Sequence, residues 1–598
     1  MVDKISSGLD GITGFRISSK GKSIGNNFGL LSFKISREIN KIGKALLVFE
    51  AGDMPKGLVS ESDNPAFDVG NPIKIEAGYG NDLKCIFEGI VVYHTVDIAS
   101  ENNTTLQVEC REMPFKATQS KRYEIFRKKS DNQIIKDVLG KGEYNLTVKV
   151  KGAEIKHLQY YQIYTTDWET IMSRAKDNGL VVIVDGKNVN IAPLETKDSN
   201  ESLEYGTNII EFKAKLNTTN LYKKVVVESL NSKNKKVLIA SSDVKLNQGG
   251  DKKDIPCNDT YRIRTTENIE KSTLEIMAKA EADQMALAKI LGSCKFCGRA
   301  EIQIGKPIAL KGFGKRFEGD VFINSLEHDF NEDGWTTTVN FGIPLDNKNS
   351  KQGSPIQLKT QTSLKPDTQG PANNPGLQIA VVTKLTDDPD KEFKIEVKIP
   401  DSSGKEMKLW ARLSNFWSSN SYGAFFIPEV NDEVILGFFN NDPAHPVILG
   451  SLYSSSLPPS NKLTEQNNIQ SITTKSKIKL EFDDKKKVIT IETPGKNIIK
   501  ISDEDKGISL TDQNKNKIEL NDNGITLESA KGIILKSKTD IKIEAGTALE
   551  AKAKTDLKLE GMNVEGKAKT MLKMKGSASA EFSASGNTTI KGAMVMIN

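Results

Sequence analysis

At 598 residues the chain is too long for one hydrophobic core, and three or four domains are expected. Its 83 Lys and Arg against 78 Asp and Glu leave a formal charge of +5, too small at this length to point to nucleic acid as a partner. A hydrophobic share of 37% fits a protein with much exposed surface, and no run of about 18 apolar residues offers a transmembrane helix.

The opening stretch, MVDKISSGLDGITGFRISSKGKS, lacks the apolar core of a secretory signal, so folding in the cytosol is expected. Residues 1–120 read as strands. LLSFKISREI, PIKIEAGY, CIFEGIVVYHTVDI and TTLQVECREM alternate apolar and polar residues, with turn residues between them, as in a small antiparallel barrel or sandwich. A helix follows in SDNQIIKDVLGKG, with Ile134, Ile135, Val138 and Leu139 on one face and Gly140 as its stop. A second, TTDWETIMSRAKDNG, opens on a capping box of Thr166 and Glu169 and stops at Gly179. LVVIVDGKNVNIAP predicts a hairpin turning at Asp185-Gly186. A third helix is predicted over about 268–292, with Leu274, Met277, Ala278, Met285 and Ala288 at helical spacing and Glu281 interrupting the stripe. Strands resume from RAEIQIGKPIALKG to GWTTTVNFGIP. Residues 346–375 are polar and rich in Gly, Pro, Ser and Asn, the composition of a linker. Short strands then run to about residue 457.

From 478 onward the chain alternates as strand, with Gly, Asn and Asp punctuation. IKIEAGTALEAKAKTDLKLEG carries apolar pairs two residues apart, Ile541 with Ile543, Leu549 with Ala551 and Leu557 with Leu559, repeating every eight residues. The register runs back through Ile533 and Leu535 to Ile525 and Leu527. A helix would have to accept Gly524, Gly532, Gly546, Gly561, Gly566, Gly576, Gly586 and Gly592. One apolar pair per eight residues does not offset the cost of ordering a single chain, and open strand edges invite aggregation. Winding identical chains around one axis solves both problems, most simply as a trimer. A disordered tail rich in Lys, Ala and Gly is the plain alternative, but disorder has no reason to keep a register.

FFIPEVNDEVILGFFNNDPAHPVILGSLYSSSLPP, residues 425–459, resembles the OB-fold domain of VgrG-type spike proteins and of the related phage tail spikes. The family pattern falls on Pro428, Asp432-Glu433-Val434, Gly437-Phe438, Asp442-Pro443-Ala444-His445-Pro446 and Leu449-Gly450-Ser451-Leu452-Tyr453. Upstream, 166–186, 202–216 and 305–330 are similar to the hub of that family, and IKLEFDDKKKVITIET resembles the start of its needle. The resemblance implies a mainly β fold with minor α. Its parts are a first hub β-barrel at 1–120, a second hub barrel with helices at 121–345, the linker, an OB-fold neck at 376–457, a connector at 458–477 and a trimeric intertwined β-helix needle at 478–598. It further implies a homotrimeric spike of a bacterial contractile injection system, either type VI secretion or an extracellular phage-tail-like particle. Such a spike caps an inner tube, meets baseplate proteins, carries a PAAR-type tip and delivers effector cargo across a target membrane that it touches only transiently. It is cytoplasmic during assembly and leaves within the particle on contraction. The needle core is assigned to Ile525, Leu527, Ile533, Leu535, Ile541, Ile543, Leu549, Leu557 and Leu559. The tip-binding surface is assigned to Met594, Val595, Met596 and Ile597.

No catalytic constellation, cofactor or metal site is expected. CxxC at Cys294 and Cys297 has no second ligand pair for zinc and no thioredoxin-like context, so buried reduced thiols are expected, as for Cys85, Cys110 and Cys257. DFNEDG at 329–334 matches half of a calcium loop, but Asn340 stands where a bidentate Glu is needed, and a hairpin turn is expected. SKGKS lacks the first P-loop glycine, Arg16 standing in its place. None of His94, His157, His328 and His445 lies in a nucleophile motif, and no histidine after His445 is available to hold iron at a needle tip. The gap between Tyr453 and Ile478 is too short for a hydrolase domain. A trimeric tail fibre or adhesin and a tail-associated hydrolase are the competing readings. The OB-fold motif argues against the first, and the missing catalytic residues against the second.

Overall fold

The computed structural model describes residues 13–24, 29–53, 56, 58–99, 104–196, 199, 201–207, 209–216, 221–230, 236–245, 258–265, 269–344, 376–400, 407–439 and 445–597. The chain divides into two compact units, Met1–Pro458 and Pro459–Asn598. The expected linker and the motif residues Asp442 and Pro443, with Cys257, lie outside the described residues. Among the described residues no helix is long and apolar enough to cross a membrane.

The first unit is built on one long antiparallel path of strands. It runs from Ile209–Leu216 through Ile290–Cys297, Gly334–Phe341 and Gly319–Asn331 to Leu30–Glu38, and on through Lys44–Glu50, Thr104–Arg111, Asp82–Ile98 and Pro72–Tyr79 to Thr13–Ser19. The sheet therefore crosses the division expected at residue 120. Leu30–Glu38 pairs with Gly319–Asn331, bringing Phe33 opposite Phe330 with stacked rings 5.0 Å apart. Phe33, Ile35, Leu47, Phe49, Ile75 and Val108 fill the core on one side of this junction, and Cys294, Phe296, Phe322, Val339 and Phe341 fill it on the other.

Helices α1 (Asp131–Leu139) and α2 (Asp167–Asp177) both open on complete capping boxes, Ser130 with Gln133 and Thr166 with Glu169. Their apolar faces, Ile134, Ile135, Val138 and Leu139 with Trp168, Ile171 and Ala175, close over Leu180, Val182, Val189 and Ile191. Gly179 follows α2 at φ +67, where a side chain would be strained and its Cβ would meet Ala280 at 2.6 Å. The hairpin Leu180–Asp185 and Asn188–Pro193 pairs Asp185 with Asn188, so its turn residues are Gly186 and Lys187, one place further on than expected.

Helix α3 spans Lys271–Ala286 and stops short of the expected residue 292. The reason is tertiary. Ile290–Cys297 is claimed on both sides, by Ile209–Leu216 and by Gly334–Phe341, and that pairing overrides a weak helical stripe. Within 329–334 the hairpin turn is Glu332-Asp333, between Gly319–Asn331 and Gly334–Phe341, with Asp333 N donating to Asn331 Oδ1 at 2.9 Å. SKGKS is likewise a hairpin turn, with Lys20 and Gly21 at φ 49 and 78.

A closed barrel of Gln378–Lys384, Ile395–Ile399, Met407–Leu413, Pro446–Ser451 and Glu433–Phe438 completes this unit, matching the expected OB-fold. Its core holds Ala380, Val382, Val397, Leu409, Val434, Leu436 and Ile448, joined by Tyr161 and Ile163 from Lys156–Thr166.

The second unit begins with a seven-stranded antiparallel meander, Ile469–Thr473, Lys479–Asp483, Val488–Glu492, Ile498–Ser502, Gly507–Thr511, Lys517–Asn521 and Gly524–Glu528. Its first strand lies within the expected connector 458–477. IQSIT has only Ile472 in the apolar phase of the next strand, which hides it from a period-two search. Beyond Glu528 none of the described residues joins a sheet within the chain.

Candidate assembly surface

Each strand of the meander after the first places two apolar residues, i and i+2, on one face, the first places Ile472 alone, and the pairing stacks them into two columns. One column runs Ile472, Leu480, Ile491, Ile499, Leu510, Ile518, Leu527. The other runs Phe482, Ile489, Ile501, Ile508, Leu520, Ile525. The residues between them point the opposite way and form a polar column: Glu481, Thr490, Lys500, Ser509, Glu519 and Thr526. Ion pairs lie along that polar side, including Lys479 with Glu481, Lys500 with Asp505 and Lys517 with Glu519. The sheet is thus amphipathic, yet in the single chain nothing covers its apolar face. Ile501 is 44% exposed and Leu510 38%.

Five of its turns carry a lysine in the left-handed region: Lys477, Lys487, Lys496, Lys506 and Lys515 at φ 50–68. Gly524 at φ +111 makes the sixth. These tight connections hold the register that builds the columns.

The expected needle-core residues Ile525 and Leu527 sit on the last strand, at the end of these columns. The structure brings Ile533, Leu535, Ile541, Ile543, Leu549, Leu557 and Leu559 into no core within the chain. All nine residues are between 52% and 76% exposed. Met594, Val595, Met596 and Ile597 are 79%, 48%, 77% and 89% exposed. So much uncovered aliphatic surface in continuous rows is the mark of an interface.

In the barrel, the motif residues serve the fold. Asp432 accepts from Glu429 N at 2.8 Å and shapes the turn before Glu433–Phe438. Gly437 lies against Leu449, Pro446 is buried at the head of its strand, and Gly450 pairs with Ile435. A second apolar surface lies in the loop after Met407–Leu413, which sequence reasoning missed. Phe416, Trp417, Tyr422, Phe425 and Phe426 are 56–86% exposed around a bridge between Ser418 and Gly423. Five aromatics within residues 416–426 were the available signal.

Buried charges in the first unit are committed to structure. Arg37 Nη2 donates to Asp185 Oδ1 and to Val184 O, both at 2.7 Å, and lies 3.1 Å from Glu112 Oε1. Glu112 also accepts from Gly43 N at 2.8 Å and Gly186 N at 3.0 Å. Burial raises the Glu112 pKa against the pull of Arg37, and the cluster ties the first sheet to the Leu180–Pro193 hairpin. His328 lies nearby, bonded through Nδ1 to Thr337 Oγ1 at 2.9 Å, its pKa lowered to about 3 by burial and then by Arg37. Cys294 and Cys297 share one strand three residues apart and so face opposite ways, and Cys294 is buried with its thiol pushed up to about 12. Such a pair does not converge on a metal.

The family described as "Alg8 N-terminal domain" matches residues 10–332. "Type VI secretion system/phage-baseplate injector OB domain" matches 378–453, and "Phage baseplate V C-terminal trimerisation domain" matches 488–550. Among curated relatives, the type VI secretion system spike protein VgrG3 of Vibrio cholerae serotype O1 is 35% identical over 68 residues, which is 11% of this chain and 7% of that protein. The actin cross-linking toxin VgrG1 of the same species is 30% identical over 80 residues, 13% of this chain and 7% of that protein. Among solved structures, the Francisella PdpA-VgrG complex in its lidded form aligns at 11% identity and TM-score 0.49, covering 86% of this chain and 80% of that one. The chain thus spans less than a tenth of the length of these curated relatives.

Proposed function

The chain belongs to the Alg8 N-terminal domain family and, with its injector OB and trimerisation domains, to the VgrG-type spikes, and from that premise we propose that three copies form the non-enzymatic spike of a contractile injection machine. The observation that carries the proposal is the two-column apolar face of the meander, uncovered in one chain and continuous in sequence with the octad rows. Three such faces turned inward make a dry, narrow core, while the ion-paired face stays in water. Backbone and core contacts repeated along such a rod resist bending, because displacing one strand breaks many of them together.

In this reading residues 1–345 are the hub that caps the inner tube and meets the baseplate, 376–457 are the neck, and 478–598 are the needle that punctures the target envelope. Met594–Ile597 offer a PAAR-type tip protein a flexible apolar seat, since methionine adapts to a partner's contour. Effector cargo travels with the spike. The protein assembles in the cytoplasm and leaves within the particle on contraction. Mass measurement of the purified full chain tests the core of this. Three chains are expected, resisting mild detergent, and a version ending at residue 477 should fall to lower mass. A stable monomer with full strand content would overturn it.

A further inference from the structure

Beyond Glu528 the units are marked by bends, at 530–531, 538–539, 546–547, 554–555, 561–562, 569–570, 577–578, 585–586 and 593. Each step is eight residues except one, from 554 to 561, which is seven. The bends also locate the apolar pairs, because each pair starts two residues after the second residue of a two-residue bend: 539 leads to Ile541, 547 to Leu549, 555 to Leu557. Applied past the short step, 562 leads to Val564, 570 to Leu572 and 578 to Ala580.

We propose that the unit Leu557–Asn563 is one residue short and resets the needle register, so that Val564, Leu572, Met574, Phe582 and Ile590 face the second and third copies of this chain. The proposal rests on the trimeric reading above. It is carried by two observations that do not depend on one another, the spacing of the bends and the identity of the residues. An unbroken count of eight from Leu557 and Leu559 would turn Glu565, Lys567, Lys573, Lys575 and Lys591 inward, burying charges of both signs near one axis. One residue earlier those five positions are Val564, Gly566, Leu572, Met574 and Ile590, and the same phase takes in Ala580, Phe582 and one hydroxyl residue, Thr588. In the single chain Val564, Leu572, Met574, Phe582 and Ile590 are 65–72% exposed, in the range of the upstream core residues, so the same kind of cover is missing. The occupant is this chain itself, because the row follows the apolar columns of the meander in sequence, and the stretch matched as a trimerisation domain, 488–550, already contains Ile525, Ile533, Ile541 and Leu549 at an unbroken step of eight. From Val564 onward the interface therefore runs on a phase that a strict repeat would misassign.

The test compares full-chain Leu572→Asp with Lys573→Asp, and Phe582→Asp with Glu581→Lys, with Ile541→Asp and Lys542→Asp as an upstream pair on which both registers agree. Mass and the rate of cleavage at Lys567, Lys569, Lys575 and Lys591, sites that the parent and every variant share, are read together. The expected result is that Leu572→Asp and Phe582→Asp speed cleavage of the distal segment about tenfold or more while the chain stays trimeric through the meander. Lys573→Asp and Glu581→Lys should match the parent. Equal effects within either pair, or damage from Lys573→Asp alone, would overturn the register while leaving the trimer intact. A monomeric parent, or indifference to Ile541→Asp as well, would overturn the trimeric reading and the register with it.

Discussion

Ile541→Asp probes the needle core at a residue inside the trimerisation match. Ile541 leaves 54% of its surface uncovered in the single chain. Burying a whole isoleucine contributes about 1.5–3 kcal/mol, so covering that share gives about 1–1.5 kcal/mol per chain and about 3–5 kcal/mol over three copies. Aspartate forfeits this and brings three carboxyl groups to one axis. Left charged, each carries a desolvation penalty of several kcal/mol, so they protonate instead, at about 4 kcal/mol each at pH 7 from a free pKa near 3.9. The neutral-pH loss is therefore on the order of 15 kcal/mol, enough to open the needle around that unit. The sign of the pH dependence follows. The assembled state raises the Asp pKa and binds more protons than the open one, so the penalty is full above the assembled-state pKa and shrinks as pH falls towards about 4. There only the lost burial remains. Lys542→Asp, one residue away on the watered side, should stay within about 0.5 kcal/mol. Detergent resistance of the trimer and protection from cleavage at Lys536 and Lys538, which both variants keep, read at pH 7.5 and pH 4.5, distinguish the two. Equal behaviour of the variants, or a fully resistant Ile541→Asp needle at pH 7.5, would refute the inward assignment.

Acid should weaken the first unit through His328. Its folded pKa of about 3 lies below the free value near 6.5, so the unfolded chain gains the proton first and stability falls between those limits, by about 2–3 kcal/mol from pH 6.5 to 4.5. Thermal unfolding across that window should show the slope, and His328→Gln should flatten it; an unchanged slope would show that the histidine is not held neutral. Gly298→Ala should cost about 1–3 kcal/mol or more, since its Cβ would fall 1.9 Å from the ring of buried Trp335, whereas Gly142→Ala meets nothing within 4 Å and should be neutral in the same melts.

Local chemistry was legible where it acts locally. The capping box at Thr166 is read from residues three apart and forms as written, and Ser130 with Gln133 forms a second by the same local chemistry. The alternation that marks Pro72–Tyr79 or Gly334–Phe341 is a property of one strand and survives whatever the strand pairs with. What the sequence hid was decided by partners distant along the chain. Nothing near Leu30–Glu38 announces Gly319–Asn331 as its neighbour, and nothing near Ala286 says that Ile290 will be taken by a sheet. The aromatics at 416–426 were visible as letters but not as surface, because exposure depends on the barrel around them.

The needle inverts this relation between local and distant. Its pattern was the most legible in the chain, yet its core is the least formed within one chain. A period states which residues face together, and it is silent about what they face. In the meander that distinction is physical: hydrogen bonds between neighbouring strands are complete within the chain, so register, turns and the polar column are all set, while the two apolar columns wait uncovered. Past Glu528 even the strand partners are absent, and only the bends keep count. In the trimeric reading stability there comes from other copies, which makes the phase of the repeat the quantity that matters most. A count kept by bends tolerates a seven-residue unit, because the next pair is placed from the bend and not from the previous pair. A count kept by residue number does not, since one missing residue would turn Lys573 and Lys575 into the core and Leu572 and Met574 out of it.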